Sequence, residues 1–517
     1  MSVFSHVKMK SPKYSTFDLS HQKKMSAEIG RLVPILCMET VPGDSFNIST
    51  SQLLRFAPML APIMHQVTVY QHFFFVPNRL IYDNWESFIT GGEDGYDTSV
   101  PPTISLPSNL SEATVADYLG LPTDNTSAYE VSALPFAAYG TIYNEYYRDE
   151  NLISPGDYKL GDGLQSVGSS VYKLAVGSPK IRAWQHDYFT SALPWTQKGP
   201  EATVPLGTSA PIFYDNDGGA KTQLLRDRST GNPAGNVDFG SAGTGVTENL
   251  LTNVTTNFDP NDTLFTDLSS ATAATINDLR SAFRLQEWLE KNARGGSRYT
   301  ESILSHFGVR SSDARLQRPE FLGGGSIPVQ ISEVLQTAPA AGSSTPLAEM
   351  AGHGISVGQN ANVQYRCEEH GFVIGIMSVM PKTAYQQGVN KMFLRSDRFD
   401  YYWPEFSHLG EQAIENQEVY INSANREDAF GYIPRYAEYK YQNDTVHGAL
   451  RNSLKFWHLG RIFSSQPQLN SEFIECDSIA EDLTRIFAVP DQEQMYVIVN
   501  NRVMAKRPMP YFGTPTF

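Results

Sequence analysis

Cysteine is nearly absent from this chain. Cys37, Cys367 and Cys476 are far apart, odd in number and form no Cys-x-x-Cys pair. That argues against a disulfide framework and a structural zinc site, and fits folding in a reducing cytosol. Charge is also scarce: Asp, Glu, Lys and Arg are 18% of residues, below the usual ~25%. No apolar run reaches the ~18 residues of a membrane-spanning helix. The opening MSVFSHVKMKSPKYS lacks the apolar core of a secretion signal. Between Arg228 and Arg280 there is no Lys or Arg, so that stretch would not attract nucleic acid.

Catalytic signatures are missing too. The chain has no HExxH, no GxSxG, no phosphate loop and no dinucleotide fingerprint. The run Gly323-Gly324-Gly325-Ser326 lacks the Lys-Ser/Thr ending of a phosphate loop. Asp259, Asn261 and Asp262 begin like a calcium loop, but Leu264 stands where glycine is needed. Glu93, Asp94 and Asp97 in GGEDGYD are weak metal candidates, read as a solvated acidic turn. Glu411, Glu415 and Glu418 recur at helical spacing and read as a solvated helix face. Cys367 and His370 read as core residues beside a strand. No enzyme chemistry, cofactor or metal is expected.

What the chain does have is aromatic mass, with 26 Tyr and 28 Phe among 517 residues. Abundant aromatics with few Lys and Glu mark protein–protein interfaces as well as cores. The length allows a large buried core. The formal net charge of −15 is uneven: residues 1–31 carry net +4 and residues 495–517 net +3, leaving −22 for the rest. An acidic body with basic ends implies that the termini face something anionic.

Residues 67–76, VTVYQHFFFV, are the clearest strand, stopped by Pro77-Asn78. Both alternating faces carry large apolar groups at one end, which predicts a central strand covered on both sides. Leu80, Ile81, Trp85 and Phe88 predict one short helix ended by Gly91-Gly92. Residues 32–41 and 45–50 flank Pro42-Gly43-Asp44 and read as a hairpin or tight strand connection. Pro58 and Pro62 make 53–64 a loop. Aromatics at three- and four-residue spacing predict a helix within 134–152. Thr275-x-x-Asp278 resembles a capping box opening a helix to 292. Residues 372–379 and 495–503 are further strands. Residues 199–275 are rich in Gly, Thr, Asn and Ser, cannot build their own core and read as a surface protrusion. Strands at both ends, separated by long loops, predict one mainly β sheet system closed by distant segments.

Several long motifs carry a resemblance. They include FDLSH (17–21), PGD (42–44), FFFVPNRLIYDNW (73–85) and IYNEYYRDENL (142–152). LEKNARGGSRYTESILSHFGV (289–309), DARLQRPEFLGG (313–324) and EHGFVIGI (369–376) follow. RFDYYWPEFSHLGEQA (398–413), FGYIPRYAEYKY (430–441) and RPMPYFG (507–513) complete the set. Together they resemble the major capsid proteins of the Microviridae, small phages with circular single-stranded DNA, in their gokushovirus form. His65 and Gln66 stand where that form usually reads Asp-Asn.

The resemblance implies a single eight-stranded antiparallel viral jelly roll spanning 1–517, with long loop insertions and a few short helices. It implies a T=1 icosahedral shell of sixty copies around the genome, assembled in the host bacterial cytoplasm. Its partners would be the single-stranded DNA genome, a small basic DNA-packaging protein and a host surface receptor, with no membrane. Residues 1–31 would be a basic arm on the interior face, 199–275 the surface protrusion, and 495–517 the last strand with a basic tail. The DNA-facing candidates are Lys8, Lys10, Lys13, Lys23, Lys24, Lys506 and Arg507, with Tyr14 and Phe17 as stacking neighbours. Tyr401, Tyr402 and Trp403 are the candidates for contacts between copies. The competing reading is a carbohydrate-binding or carbohydrate-active β-sandwich, which explains the aromatics but neither the insertions nor the basic ends.

Overall fold

The computed structural model describes residues 13–200, 202, 276–296, 298–337, 350–359, 362–490 and 492–512, with short strands at Ile212–Tyr214, Leu224–Asp227, Pro233–Asn236, Thr256–Asn257 and Leu264–Thr266. The chain divides into two units, Met1–Thr196 with Asn292–Phe517, and Gln197–Lys291. In the second unit the short strands pair in two small antiparallel sheets, and a long helix begins at Ile276. Thr275, and with it the expected capping box, lies outside the described residues.

The first unit is built on β1 (Ser15–Asp18), β2 (His21–Ala27), β3 (Val33–Thr40), β4 (Ser45–Phe56) and β5 (Val67–Pro77). After a long excursion come β6 (Glu320–Pro328), β7 (Gln330–Leu335), β8 (Met350–Gln359), β9 (Val363–Arg366) and β10 (Gly371–Pro381). A second excursion leads to β11 (Met495–Arg507). One sheet runs β6-β5-β10-β3. The other has seven strands: β4 lies beside β11 and carries β8 and β9 on its far edge, β7 extends β8, and β1 and β2 pair with the far edge of β11. All these pairings are antiparallel, and four of them nest: β2 with β11, β3 with β10, β4 with β8, β5 with β6.

Burial explains which residues make which strand. In β11, Met495, Val497, Val499, Asn501, Val503 and Ala505 are buried while the residues between them are not, the period-two signature of a sheet wet on one face. In β10 every residue is buried, because the four-stranded sheet is covered twice. Val67, Val69, Phe73 and Phe75 of β5 enter the core between the sheets, with Phe46, Ile48 and Leu54 of β4. Phe74 and Val76, on the other face, pack with Phe136, Tyr139 and Ile142 of helix α1 (Leu134–Ile142). The double coverage read from residues 67–76 is therefore present. Gly375 on β10 fits because a Cβ there would sit 2.8 Å from the Phe73 ring.

Three expectations need correction. The strand of residues 45–50 continues to Phe56, since Leu54 and Phe56 keep the inward phase and the prolines come only afterwards. The turn at Pro42-Gly43-Asp44, with Gly43 at φ +94°, joins β3 to β4 across the two sheets, the tight strand connection of the two alternatives read there. The single helix at 80–88 is two short ones, Asn78–Ile81 and Trp85–Thr90, the second capped by left-handed Gly91. Glu411 and Glu415 belong to the strand Glu411–Glu415, and Glu418 is buried, paired with Lys391 at 3.2 Å and accepting from Tyr188 at 3.0 Å. No solvated helix face exists there; tertiary pairing overrode the spacing. Gly323–Ser326 lies within β6 against β5.

A third core joins the two excursions, with Tyr188, Phe189, Tyr385, Ile414 and Phe473. Near it the buried Arg461 donates twice to Glu481, at 2.5 and 3.0 Å, and to the Phe473 carbonyl at 2.7 Å; Trp184 donates to the same carboxylate at 3.2 Å. Glu481→Ala would leave the guanidinium buried and unpaired, so a loss of about 3–5 kcal/mol in denaturant unfolding is expected. Glu287→Ala, which breaks the exposed Arg284–Glu287 pair, should cost less than about 1 kcal/mol.

Candidate nucleic-acid interface

The open face of the seven-stranded sheet carries the non-buried phase of each strand. Antiparallel partners share a face, so the register sets its rows. Lys506, Ser45 and Arg366 form one row; Met504, Asn47 and Gln364 the next; then Arg502 with Ser49, and Asn500 with Ser51 and Gln359. Ile498, Leu53 and Val357 follow, with Lys24 opposite Ile498, and Tyr496, Arg55 and Ile355 close the series. Five cations therefore share this face: Lys24, Arg55, Arg366, Arg502 and Lys506. All are exposed, and none is in an ion pair with a described residue. Among the described residues of these strands, Asp18 is the carboxylate on that face. Its charge is already engaged: hydrogen bonds from Ser20, then Arg502 nearby, hold its pKa below the ordinary value.

Asn47, Ser49, Ser51, Gln359, Gln364 and Asn500 make the part of the face around Arg502 uncharged and polar. A hollow of about 240 Å³ lies among Asn47, Ser49, Gln359, Asn362, Arg502 and Met504. A broader one of about 530 Å³, sharing Asn47 and Met504, adds Thr16, Gln364, Arg366 and Lys506. The two form a trough with cations along its rim. Tyr14, half exposed, stands 5.6 Å from the Lys506 ammonium, and Tyr496 is half exposed at the other end. Cations that track a backbone and aromatics that offer a stacking face are the two requirements of single-strand binding.

The sequence candidates divide. Lys24 and Lys506 lie on this face, and Lys13 is exposed just before β1. Lys8 and Lys10 lie outside the described residues. Lys23 is turned inward, and its ammonium donates to the carbonyls of Pro34, at 2.7 Å, and Tyr118. Arg507 donates to the Glu39 carbonyl at 2.8 Å and stands 3.5 Å from the buried carboxylate of Asp44. Both are thus fixed within the fold, a correction that follows from their phase in the strands. Phe17 stacks on Tyr511, 5.8 Å between centroids, and anchors the arm. Arg55, Arg366 and Arg502 escaped the sequence reading, although each sits in the polar phase of an alternating strand.

Glu93, Asp94 and Asp97 form an exposed turn, with Ser99 donating to Asp97 at 3.0 Å. Among the described residues no cluster of three or more His, Cys, Asp or Glu could hold a metal. Cys367 is buried, while His370 packs edge-on against Trp85 at 5.6 Å. No described helix is long and apolar enough to cross a membrane. Tyr401, Tyr402 and Trp403 are 53%, 49% and 46% exposed, so they are not fully buried in this chain. Trp403 donates through Nε1 to the Arg398 carbonyl at 2.9 Å, and Tyr402 meets Tyr436 edge-on at 4.9 Å.

The two adjacent lysines give a sharp test. Burial pushes Lys23 down from its ordinary 10.5 to about 8. The folded protein thus gives up that proton earlier than the unfolded chain, and its stability should rise as pH rises from about 8 towards 10.5. Lys23→Met should abolish that rise in melting experiments and leave DNA binding unchanged. Lys24→Gln should leave melting unchanged and weaken DNA binding.

Comparison with known proteins agrees along the whole chain. The family model described as "Capsid protein (F protein)" matches residues 5–517. The "Capsid protein VP1" of Bdellovibrio phage phiMH2K is 38% identical, covering 97% of this chain and 95% of the relative. That of Chlamydia phage 1 is 34% identical over 99% and 97%, and that of Spiroplasma virus 4 is 31% identical over 97% and 95%. The chain belongs to the F-protein family of phage capsid proteins, the capsid proteins of the Microviridae.

Proposed function

We propose that this protein is the shell-forming subunit of a single-stranded-DNA phage, a structural protein without enzymatic activity that assembles in the host cytoplasm. The carrying observation is the basic trough: five cations without ion-pair partners among the described residues, on a face whose described strand residues add one carboxylate, Asp18, in a chain of net charge −15. Such a face is suited to phosphates. In this reading it lines the shell interior, together with Lys13 and the rest of the basic arm. A body this acidic cannot neutralise a DNA strand uniformly, so a small basic packaging protein shares the task. Arg55→Gln, Arg366→Gln and Arg502→Gln together should flatten the salt dependence of oligothymidylate binding. Removing three phosphate contacts lowers the slope of log affinity against log salt by about 2. An unchanged slope would contradict the interface.

The eight-stranded jelly roll is the finer fold assignment. It is supported by the nesting of first with last, second with seventh, third with sixth and fourth with fifth strands, taking β2, β3, β4, β5, β6, β8, β10 and β11 as the eight. Closure into a T=1 shell of sixty copies follows the resemblance, and a closed shell needs several distinct contact patches per copy. The half-exposed Tyr401, Tyr402 and Trp403 supply one such patch. Residues 199–275, most of which lie outside the described residues, are assigned by the resemblance alone to a protrusion that meets a host receptor. Particle yield and adsorption separate these roles. Trp403→Ala should keep soluble protein but lose particles in electron micrographs. Replacing 232–256 with a short Gly-Ser linker should keep particles and lose adsorption. Normal particles from the first, or insoluble protein from the second, would refute the respective assignment.

A further inference from the structure

A cavity lies away from the basic trough, against the other face of the four-stranded sheet. It measures about 790 Å³ and is floored by Thr68, Tyr70, His72 and Phe74 of β5. Volumes of this order are those of small-molecule and cofactor sites, about 300–1,000 Å³. Its wall includes Arg182, whose guanidinium lies 4.3 Å above the Tyr70 ring and donates to Ser378 at 2.7 Å. Among the described residues Arg182 has no carboxylate in ion-pair range, and its remaining N–H donors have no protein acceptor. Neither Asp nor Glu lines the cavity, in a chain where Asp and Glu number 55 against 40 Lys and Arg. Lys382, also in the wall, is already paired with Asp444 at 2.7 Å. Burial pushes His72 down to about 4, with Arg182 adding to the effect, so the imidazole is neutral at ordinary pH. The cavity thus offers one uncompensated positive charge.

The rest of the wall consists of flat rings and amides. His72 lies parallel to Tyr147, 6.0 Å between centroids, and edge-on to Phe321 at 5.8 Å. Phe321 lines the cavity and is 47% exposed, so part of its ring is open to a ligand there. Gln66 and Gln185 add side-chain amides, which carry a donor and an acceptor together and suit the edge of a heterocyclic base. A site for neutral sugars would have carboxylates to accept from hydroxyls, and here they are missing.

We propose that this cavity binds a nucleoside monophosphate unit, with its phosphate on Arg182 and its base stacked at Phe321. The proposal is independent of the DNA-lined trough, because the two sites lie on opposite sides of the sandwich. Titration calorimetry on the full-length chain tests it, using dAMP, deoxyadenosine, inorganic phosphate and a 5′-phosphorylated pentadeoxyadenylate. The phosphate interaction is charge-assisted, so dAMP should bind about tenfold or more tightly than deoxyadenosine, and Arg182→Gln should lose that advantage. Base–aromatic stacking changes affinity about fivefold or more, so Phe321→Ala should weaken dAMP by that factor while leaving inorganic phosphate unchanged. If Arg182→Gln does not fold, the Phe321→Ala comparison and the deoxyadenosine control decide. Pentanucleotide binding equal to dAMP assigns the site to strand ends, and its exclusion assigns it to free nucleotides; both support a nucleotide site. Absent dAMP binding at millimolar concentration, or equal affinity for dAMP and either deoxyadenosine or inorganic phosphate, would overturn it.

Discussion

The structure depends on an asymmetry of burial. The four-stranded sheet is packed on both faces, by the other sheet and by the helices of the first excursion, while the seven-stranded sheet is packed on one. Apolar burial is worth roughly 25 cal/mol per Å², so the doubly covered strands anchor the domain. Phe73, Phe74 and Phe75 are consecutive and each 1% exposed, which only a strand buried on both sides allows. The second sheet gains half as much per strand but keeps a free face. Burial is thus divided unevenly between the two sheets.

That division explains how an acidic protein presents a basic surface. On the open face a side chain is constrained only by solvent and by its neighbours, so cations there cost little. Inward positions are different. Asn501 is buried and satisfied by Thr50 at 3.0 Å and the Ile35 carbonyl at 2.9 Å. Gln71 donates to Gln52 at 2.6 Å across the sandwich. At these two places the polar groups taken inside have partners, as burial demands. Lys23 obeys the same rule and is thereby removed from the surface.

Much of the fold was legible because alternation reports burial directly. Residues 67–76 showed two apolar faces and formed the doubly covered strand; 372–379 and 495–503 were recognised as strands and proved longer. The failures share a cause: spacing does not say which partner a residue will find. Glu411, Glu415 and Glu418 fit a helix by period, yet strand pairing and the partly buried Lys391 decide their places. The open face was less legible. Position near the termini marks Lys24 and Lys506, which lie on it, and equally Lys23 and Arg507, whose phase points them inward. Arg55, Arg366 and Arg502 come together only through strand register, which links residues hundreds of positions apart.

The open face of the seven-stranded sheet is proposed as the surface that meets the genome. A reconstruction of genome-filled particles by electron cryomicroscopy tests this. Ordered nucleic-acid density is expected along the trough, in contact with Arg55, Arg366 and Arg502. Placement of this face on the outer surface of the particle, or its complete coverage by a neighbouring subunit, would contradict it.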